Sequence, residues 1–319
     1  MGLTIADDDI HIEVTNLPYL SLNNKKHFSK SVLDLLPEGW EITLNIPTIP
    51  RFKQPEVSAK AYQTIREFIY NEAGIDLGSG KQTLVSSRLN KRLQHHQLDS
   101  FDQYIELLLN KNSLEYQMAI DLLTTNETYF FREAEHFNLL KNLLLQHHPM
   151  NQKFRLWSAA SSSGQEAYSI AMVLDDFLGS SGQWEVFGSD ISSRMIKKAK
   201  GGLYQCHRID AIPKDFLRKY CLKGTGEFDG YLLVDKTLRE KTRFAEINLT
   251  KPLPEVGEFD VIFLRNILIY FDNKTKKNII RSITSKLRSK GLLFIGHSES
   301  LKGMDLPIQL IAPTVYQKK

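Results

Sequence analysis

Strand-like runs alternate with helical runs in the second half of the chain, and this alternation restricts the possible folds more than any other feature. The strand-like runs span residues 154–160, 184–190, 259–266 and 291–297, and the helical runs span residues 165–177, 192–200 and 274–287. Parallel strands need a long crossover between them, usually a helix, so the pattern predicts an α/β fold with a doubly wound, mostly parallel sheet. Ligands of such sheets bind beyond the carboxyl ends of the strands.

The first part of the chain has a different pattern. Residues 1–54 form an N-terminal extension in which apolar and polar residues alternate at 10–14 and at 40–46. Alternation with a period of two predicts short strands, and Pro47 and Pro50 then indicate a linker. The sequence assigns no role to this extension.

The remaining residues divide into two predicted domains. Residues 55–124 carry apolar side chains at helical spacing and predict a helical domain. Residues 125–319 form the sheet domain, and residues 220–247 are predicted to insert a small antiparallel β-subdomain into it. The strands of that ribbon are expected near 231–234 and 243–249.

Composition narrows the class of protein. There are 41 Lys and Arg against 37 Asp and Glu, and a net charge of +4 is too small to favour a nucleic-acid partner. The chain has two cysteines, too few for a disulfide framework or a zinc site, and its adjacent histidines at 95–96 and 147–148 diverge by about 100° on a helix. We therefore expect no metal. We also expect no signal peptide and no membrane insertion, which favours a cytoplasmic protein.

Small and acidic residues follow the first two predicted strands of the sheet domain. Three serines and Gly164 form a turn that lets a ligand approach the backbone, and Glu166 follows in the first turn of the next helix. Asp190 ends the second strand, where a carboxylate binds a ribose diol. The Gly-x-Gly-x-x-Gly spacing of a dinucleotide site is absent, so no pyrophosphate site is predicted. An acid for the ribose without a phosphate site suits S-adenosylmethionine, which has a ribose but no phosphate. The alternative is a tight turn in which Asp190 caps the next helix.

Two further segments carry candidate functional residues. Arg265 and Asn266 end the strand-like run at 259–266, and an apolar run without the proline pair of Asn-Pro-Pro-Tyr follows, which counts against an amine target. A capping role for Arg265 is the alternative. Arg132 lies in an aromatic cluster at residues 126–133. The alternative role of this cluster is to join the helical domain to the sheet domain.

Together these residues resemble the CheR-type chemotaxis receptor methyltransferases, which are protein-glutamate O-methyltransferases. The resemblance covers residues 56–315, and its motifs match in order and spacing. Ser161-Ser162-Ser163 departs from the cysteine-threonine pair usual in the family, and the N-terminal extension has no counterpart there. The motifs are Thr125-Asn126-Glu127-Thr128-Tyr129-Phe130-Phe131-Arg132, Trp157-Ser158-Ala159-Ala160, Gly164-Gln165-Glu166-Ala167-Tyr168-Ser169, Gly188-Ser189-Asp190-Ile191, Lys223-Gly224-Thr225-Gly226, Arg265-Asn266 with Ile269-Tyr270-Phe271, and Gly296-His297-Ser298-Glu299.

The resemblance implies a site and a reaction. The fold would be a Rossmann-like methyltransferase sheet, and Arg132 and Tyr270 would lie near the transferred methyl group as catalytic residues. Arg88, Lys91 and Arg92 would form a substrate-binding basic helix that faces the receptor, with a solvated basic face as the alternative. The ribbon would dock the receptor. The residues implied to bind the cofactor are Asn126, Thr128, Arg132, Glu166, Asp190, Asn248, Leu249, Arg265 and Asn266.

The implied activity is methyl transfer in sensory signal transduction. S-adenosyl-L-methionine would donate its methyl group to glutamates in the cytoplasmic region of methyl-accepting chemotaxis receptors and leave S-adenosyl-L-homocysteine. A glutamate is already ionised at neutral pH, so no general base is needed. The partner is then a receptor and no nucleic acid, and the protein is expected to be a monomer. The alternatives are a methyltransferase for RNA or a small molecule, and a module that senses S-adenosylmethionine.

Overall fold

The computed structural model describes residues 2–6, 9–13, 21–22, 55–147, 152–206 and 209–319. The chain separates into two compact units, Met1–Arg51 and Phe52–Lys319. In the described part of the first unit, β1 (Gly2–Ala6), β2 (Asp9–Glu13) and β3 (Ser21–Leu22) form an antiparallel sheet. The strand expected at 40–46 lies outside the described residues. None of the helices in the described part of the chain combines the length and apolarity needed to span a bilayer.

The second unit begins with four helices, as the pattern of apolar residues predicted. They are α1 (Ala59–Ala73), α2 (Gln82–His95), α3 (Phe101–Leu109) and α4 (Leu114–Leu123). Serine hydroxyls accept backbone N–H groups at the N-termini of α1, α3 and α4, which supplies acceptors for donors without a partner in the helix. Ile65, Phe68 and Ile69 share the buried face of α1 and contribute to a separate hydrophobic core.

A buried carboxylate ties three of these helices together. Glu115, at the start of α4, forms an ion pair with Arg92 of α2, and the hydroxyl of Tyr104 in α3 donates to Glu115 Oε2 at 3.0 Å. His96 Nε2 lies 3.0 Å from Glu115 Oε1. Burial opposes ionisation, but the hydrogen bonds from Arg92, His96 and Tyr104 outweigh it and lower the pKa of Glu115 to about 2.

The seven-stranded sheet follows, after helix α5 (Glu135–His147). Its strand order is β12-β13-β11-β10-β4-β5-β9, and the five strands from β11 to β9 are parallel to one another. Strand β13 runs antiparallel to β11, and β12 runs antiparallel to β13. The strands are β4 (Phe154–Ser158), β5 (Trp184–Asp190), β9 (Thr242–Glu246), β10 (Phe259–Leu264), β11 (Leu287–Ile295), β12 (Ile308–Ala312) and β13 (Val315–Lys318).

Helices cover both faces of the sheet. Helix α6 (Gln165–Leu178) packs on one hydrophobic core and α10 (Asn273–Ser285) on the other, while α7 (Ser193–Gly201) follows β5. Within β10, Val261 and Phe263 belong to the first core and Ile262 and Leu264 to the second. A strand buried on both faces has a continuous apolar sequence, which is why the central strands were easy to predict. The doubly wound α/β sheet is confirmed.

The inserted ribbon differs from the expectation at both ends: it includes a strand before residue 220 and does not include the one expected at 243–249. The small antiparallel sheet contains β6 (Leu203–Gln205), β7 (Cys221–Lys223) and β8 (Tyr231–Val234), in the order β6-β8-β7, with α8 (Lys214–Tyr220) between β6 and β7. Residues 243–249 were expected in this ribbon and are not part of it. Helix α9 (Lys236–Lys241) instead provides a crossover that brings β9 alongside β5 as the edge strand of the main sheet.

The Glu115 ion pair generates a stability prediction. Because the folded pKa of Glu115 lies below its ordinary value of 4.5, its contribution is present above about pH 4.5 and is lost as the pH falls towards about 2. We expect Glu115→Gln to lower the free energy of unfolding at pH 7 by about 1–3 kcal/mol, the cost of leaving a buried charged group less well paired. Urea unfolding followed by circular dichroism measures this change.

Glu106→Gln is the matched control, because Glu106 is an exposed carboxylate on α3. It should change stability by less than about 0.5 kcal/mol. If both variants lost the same stability, or if Glu115→Gln retained the wild-type dependence on acid, the ion pair would not hold the helices together.

Candidate active site

A cleft lies beyond the carboxyl ends of β4, β5, β9 and β10. Its volume is about 860 Å³, which includes the solvent-open region at its mouth. All the residues predicted to bind a cofactor line it, together with Tyr270: Asn126, Thr128, Arg132, Glu166, Asp190, Asn248, Leu249, Arg265 and Asn266. The structure therefore brings together residues from the interdomain segment (residues 126–133) and from the ends of four strands, and their roles are still predictions.

Two buried aromatic residues hold the interdomain segment over the cleft. Phe130 and Phe131 pack into the core beneath the sheet, and the backbone N–H of Phe131 donates to Ser169 Oγ at 2.9 Å. The next residue, Arg132, lines the cleft, and its Nη1 donates to the carbonyl of Glu127 at 2.9 Å. The aromatic pair thus anchors the segment to the sheet domain, and the same anchoring positions Arg132; these contacts do not reach the helical domain, as the alternative role of joining the two domains would require.

The turn after β4 is held by Asp190. Its Oδ2 accepts the backbone N–H of Ser162 at 2.8 Å, and its Oδ1 accepts that of Ser192 at 2.9 Å. Burial raises the pKa of Asp190, and these two backbone hydrogen bonds oppose the rise. The cap of α7 is Ser192, whose hydroxyl accepts the N–H of Met195, so the alternative of Asp190 as the helix cap is wrong.

Gly164 completes this turn because no other residue fits there. Its φ is +94°, in the region that favours glycine, and a Cβ would lie 2.8 Å from the Cβ of Ala199. Helix α6 begins at the next residue and carries Glu166 in its first turn. Ser158 Oγ donates to Glu166 Oε1 at 2.6 Å. Burial raises the pKa of Glu166, and the charge of Arg265 opposes that rise.

The side chain of Arg265 is fully buried between two carboxylates. Its Nη2 donates to Glu133 Oε2 at 3.0 Å, and its Nη1 lies 3.3 Å from Glu166 Oε2. Its Nε and Nη1 nevertheless have no hydrogen-bond partner among the described residues. A buried guanidinium carrying unsatisfied donors is costly unless a ligand accepts from them. Since Arg265 lines the cleft, these donors are suited to an anionic ligand.

Asn266 follows in an unusual conformation that two carboxylates stabilise. Its φ is +57°; its Nδ2 donates to Glu133 Oε1 at 2.9 Å, and its backbone N–H donates to Glu299 Oε2 at 2.9 Å. Glu299 also accepts the backbone N–H groups of Leu268 and Gly296, both at 2.6 Å. No role was predicted for Glu133 or Glu299, although Glu299 ends one of the family motifs and Glu133 directly follows another.

The far wall of the cleft is tied to the helical domain. Asn248 Nδ2 donates to the carbonyl of Glu72 in α1 at 2.6 Å, and Asn248 Oδ1 accepts from the backbone N–H and the hydroxyl of Thr250. The carbonyl of Tyr270 accepts the N–H of Asp76 at 3.0 Å. The helical domain therefore braces the wall that carries Asn248 and Tyr270.

The three basic residues of α2 lie in different environments. Arg88 donates to the carbonyls of Leu123 and Thr124 and to Thr125 Oγ1, beside the cleft but not in its lining. Arg92 is held by Glu115, and only Lys91 among the three is exposed. The trio is therefore not one solvated basic face.

The cleft combines cationic and phenolic side chains with carboxylates. Its lining offers Arg132, Arg265 and the phenol of Tyr270, and its carboxylates include Glu166 and Asp190, which are engaged by Arg265 and by backbone N–H groups. Such a site suits a substrate that is already an anion.

Comparison with known proteins decides the family. A family model described as "CheR methyltransferase, SAM binding domain" matches residues 126–316, and one described as "CheR methyltransferase, all-alpha domain" matches residues 60–124. The chain belongs to the CheR methyltransferase family. It is an S-adenosylmethionine-dependent methyltransferase.

Three relatives illustrate the similarity. The chain is 40% identical to the chemotaxis protein methyltransferase of Salmonella typhimurium over 80% of this chain and 88% of the relative. The corresponding values are 41%, 80% and 89% for that of Escherichia coli. They are 37%, 80% and 91% for chemotaxis protein methyltransferase 2 of Pseudomonas aeruginosa. The similarity therefore spans both the helical and the cofactor-binding parts of the family.

The close approach of two backbone segments at Gly296 gives a test of the site. A Cβ on Gly296 would lie 2.6 Å from Asn266 Nδ2 and 2.9 Å from Glu299 Oε2. We expect Gly296→Ala to displace Asn266 and to weaken S-adenosylhomocysteine binding by at least ten-fold, which is about 1.4 kcal/mol, as measured by calorimetry.

Gly201→Ala provides the control, since nothing lies within 4 Å of a Cβ at the end of α7. It should bind the product as the wild type does and be at least as stable, because alanine favours a helix by about 0.5–1 kcal/mol. Unchanged binding in Gly296→Ala would show that the position of Asn266 does not matter to the cofactor.

Proposed function

We propose that this chain transfers the methyl group of S-adenosylmethionine to glutamate side chains in the cytoplasmic region of chemotaxis receptors. The products are a glutamyl methyl ester and S-adenosylhomocysteine. The observation that carries the proposal is the buried Arg265, whose Nε and Nη1 make no hydrogen bond to the described residues, in a cleft whose described lining offers cationic and phenolic groups but no histidine. Membership of a family whose named relatives are chemotaxis protein methyltransferases supports the choice of substrate.

The residues of the cleft fit the chemistry of this cofactor. We assign the carboxylate of its methionine end to Nε and Nη1 of Arg265, the donors that make no hydrogen bond to the described residues. Glu166 lies beside them and suits the adjacent ammonium group. Each carboxylate oxygen of Asp190 has a further lone pair after accepting one backbone N–H, which suits the ribose hydroxyls. Asn126, Thr128, Asn248, Leu249 and Asn266 complete the pocket around the rest of the molecule.

The cofactor supplies an electrophilic methyl group on a positively charged sulfur. A carboxylate oxygen of the receptor glutamate forms the new O–CH3 bond, the S–CH3 bond breaks, and its electron pair remains on sulfur. No proton moves, because a glutamate with a pKa of about 4.3 is already ionised. The two charges cancel as the bond forms, so a site that excludes water favours the reaction.

Alignment supplies most of the acceleration in this proposal. Well-oriented reactants gain roughly 7–11 kcal/mol relative to free collision. Arg132 holds the attacking carboxylate by its charge, and the hydroxyl of Tyr270 orients the substrate or the cofactor. Both side chains are on elements that other contacts fix: Arg132 follows the buried Phe131, and the carbonyl of Tyr270 accepts from Asp76.

Receptor recognition involves parts of the protein outside the cleft. We propose that Lys91 faces the acidic methylation region, and that Arg88 and Arg92 support that surface through their contacts with α4. The ribbon of β6, β7 and β8 is proposed to dock a further part of the receptor. The same proposal includes a division of the chain into residues 1–54, 55–124 and 125–319, a cytoplasmic location and a monomeric state.

The catalytic roles predict a graded loss of activity. We expect Arg132→Ala to lower kcat about 100-fold, as loss of one electrostatic contact to a reacting group does. Tyr270→Phe should lower it about ten-fold, because it removes one hydrogen bond. The assay is transfer of labelled methyl groups to membranes that contain chemoreceptors, followed by release of labelled methanol in alkali. Calorimetry with S-adenosylhomocysteine separates loss of binding from loss of turnover.

Arg281→Ala is the matched control, since Arg281 is an exposed arginine of α10 and does not line the cleft. It should retain wild-type turnover. Full turnover in Arg132→Ala would contradict the catalytic role, and label that resists alkali would exclude a glutamyl ester.

A further inference from the structure

Three side chains with metal-binding atoms converge next to the cleft. Glu133 ends the interdomain segment, His136 is in the first turn of α5, and His297 follows β11. Their ligand atoms all lie within 4.8 Å of one another. Glu133 Oε2 is 3.4 Å from His136 Nδ1 and 4.0 Å from His297 Nε2. None of the three belongs to the lining of the cofactor cleft.

The ring of His136 is buried with one nitrogen in use and the other free. His136 Nε2 lies 2.7 Å from Thr314 Oγ1, and the hydroxyl of Thr314 donates to the carbonyl of Pro313 at 2.6 Å. A hydroxyl has a single proton, so Thr314 accepts from His136 and the Nε2 atom carries the hydrogen. The Nδ1 lone pair then has no donor among the described residues.

This lone pair needs an explanation because it points towards negative charge. A bare nitrogen 3.4 Å from a carboxylate oxygen is unfavourable unless a proton or a cation lies between them. If Nδ1 carried the hydrogen, Thr314 would have to give up its bond to Pro313 in order to donate to Nε2.

We propose that Glu133, His136 and His297 form a binding site for a zinc ion. The ligands are Glu133 Oε2, His136 Nδ1 and His297 Nε2, with water in the fourth position, and two neutral imidazoles with one carboxylate are a ligand set that zinc favours. Bonds of about 2.0–2.1 Å in a tetrahedron separate ligand atoms by about 3.3 Å. The pair at 3.4 Å already meets that distance, and His297, whose side chain is 47% exposed, has room to close the rest.

Outer contacts orient these ligands as they do in known zinc sites. Thr314 fixes His136 with Nδ1 free, and Asn266 Nδ2 donates to Glu133 Oε1. Arg265 Nη2 and the backbone N–H of His297 donate to Glu133 Oε2, so the ion takes the place of one of these two donors. The positive charge of Arg265 lowers the affinity for a cation, so binding is expected to be weaker than in a structural zinc site. The ion joins the start of α5 to the loop after β11, and it therefore stabilises the folded state.

The test is titration of the full chain with zinc chloride, followed by calorimetry and by thermal unfolding. We expect the wild type to bind one equivalent and to gain thermal stability. His297→Gln should weaken binding by at least about ten-fold, since even outer-shell changes weaken zinc sites by about 10–100-fold. His95→Gln is the control, because His95 is an exposed histidine of α2 outside the cluster, and it should bind zinc as the wild type does.

Nitrogen NMR of the histidine rings gives an independent readout. Zinc should shift the Nδ1 signal of a buried histidine in the wild type and in His95→Gln but not in His297→Gln. Absence of zinc binding in the wild type, equal zinc affinity in His297→Gln, or an Nδ1 that stays protonated with zinc present would each overturn the proposal.

Discussion

The ion pairs of Arg265 with Glu133 and Glu166 hold the active site together. Its guanidinium is buried, and a buried arginine is stable only where carboxylates face it. Glu133 comes from the segment between the domains, Glu166 from the first turn of α6, and Arg265 itself from the end of β10. One side chain therefore fixes three separate segments around the cofactor cleft, and its Nε and Nη1 make no hydrogen bond to the described residues.

Other carboxylates extend this arrangement to the rest of the cleft. Glu133 also holds Asn266, and Glu299 accepts three backbone N–H groups around Asn266 and Gly296. Asp190 holds the turn after β4 in the same way. Because backbone donors in a buried turn need acceptors, each of these carboxylates sets the shape of a loop that lines the site. The helical domain completes the wall through Asn248.

The parts predicted from the sequence are those with local or periodic signals. The central strands have continuous apolar runs because both faces are covered; Asp190 ends β5, and Gly164 lies in the turn after β4. The edge strand β9 was assigned to the ribbon, because a short strand after a helix does not reveal its neighbour. The contacts of Glu133 were not predictable: His297, whose N–H it accepts, lies 164 positions away in the chain. The environment of His136 Nδ1 could not be predicted either, because the ring is oriented by Thr314, which is also distant in the chain.

The most direct test of the central claim uses Arg265→Lys and two ligands, S-adenosylhomocysteine and its analogue without the carboxylate. Lysine keeps the charge but lacks the planar fork that accommodates a carboxylate. If Arg265 holds that group, calorimetry should show that the wild type loses at least about ten-fold in affinity when the carboxylate is removed, whereas Arg265→Lys loses much less. An equal loss in both proteins would mean that the free donors of Arg265 do not bind the cofactor carboxylate.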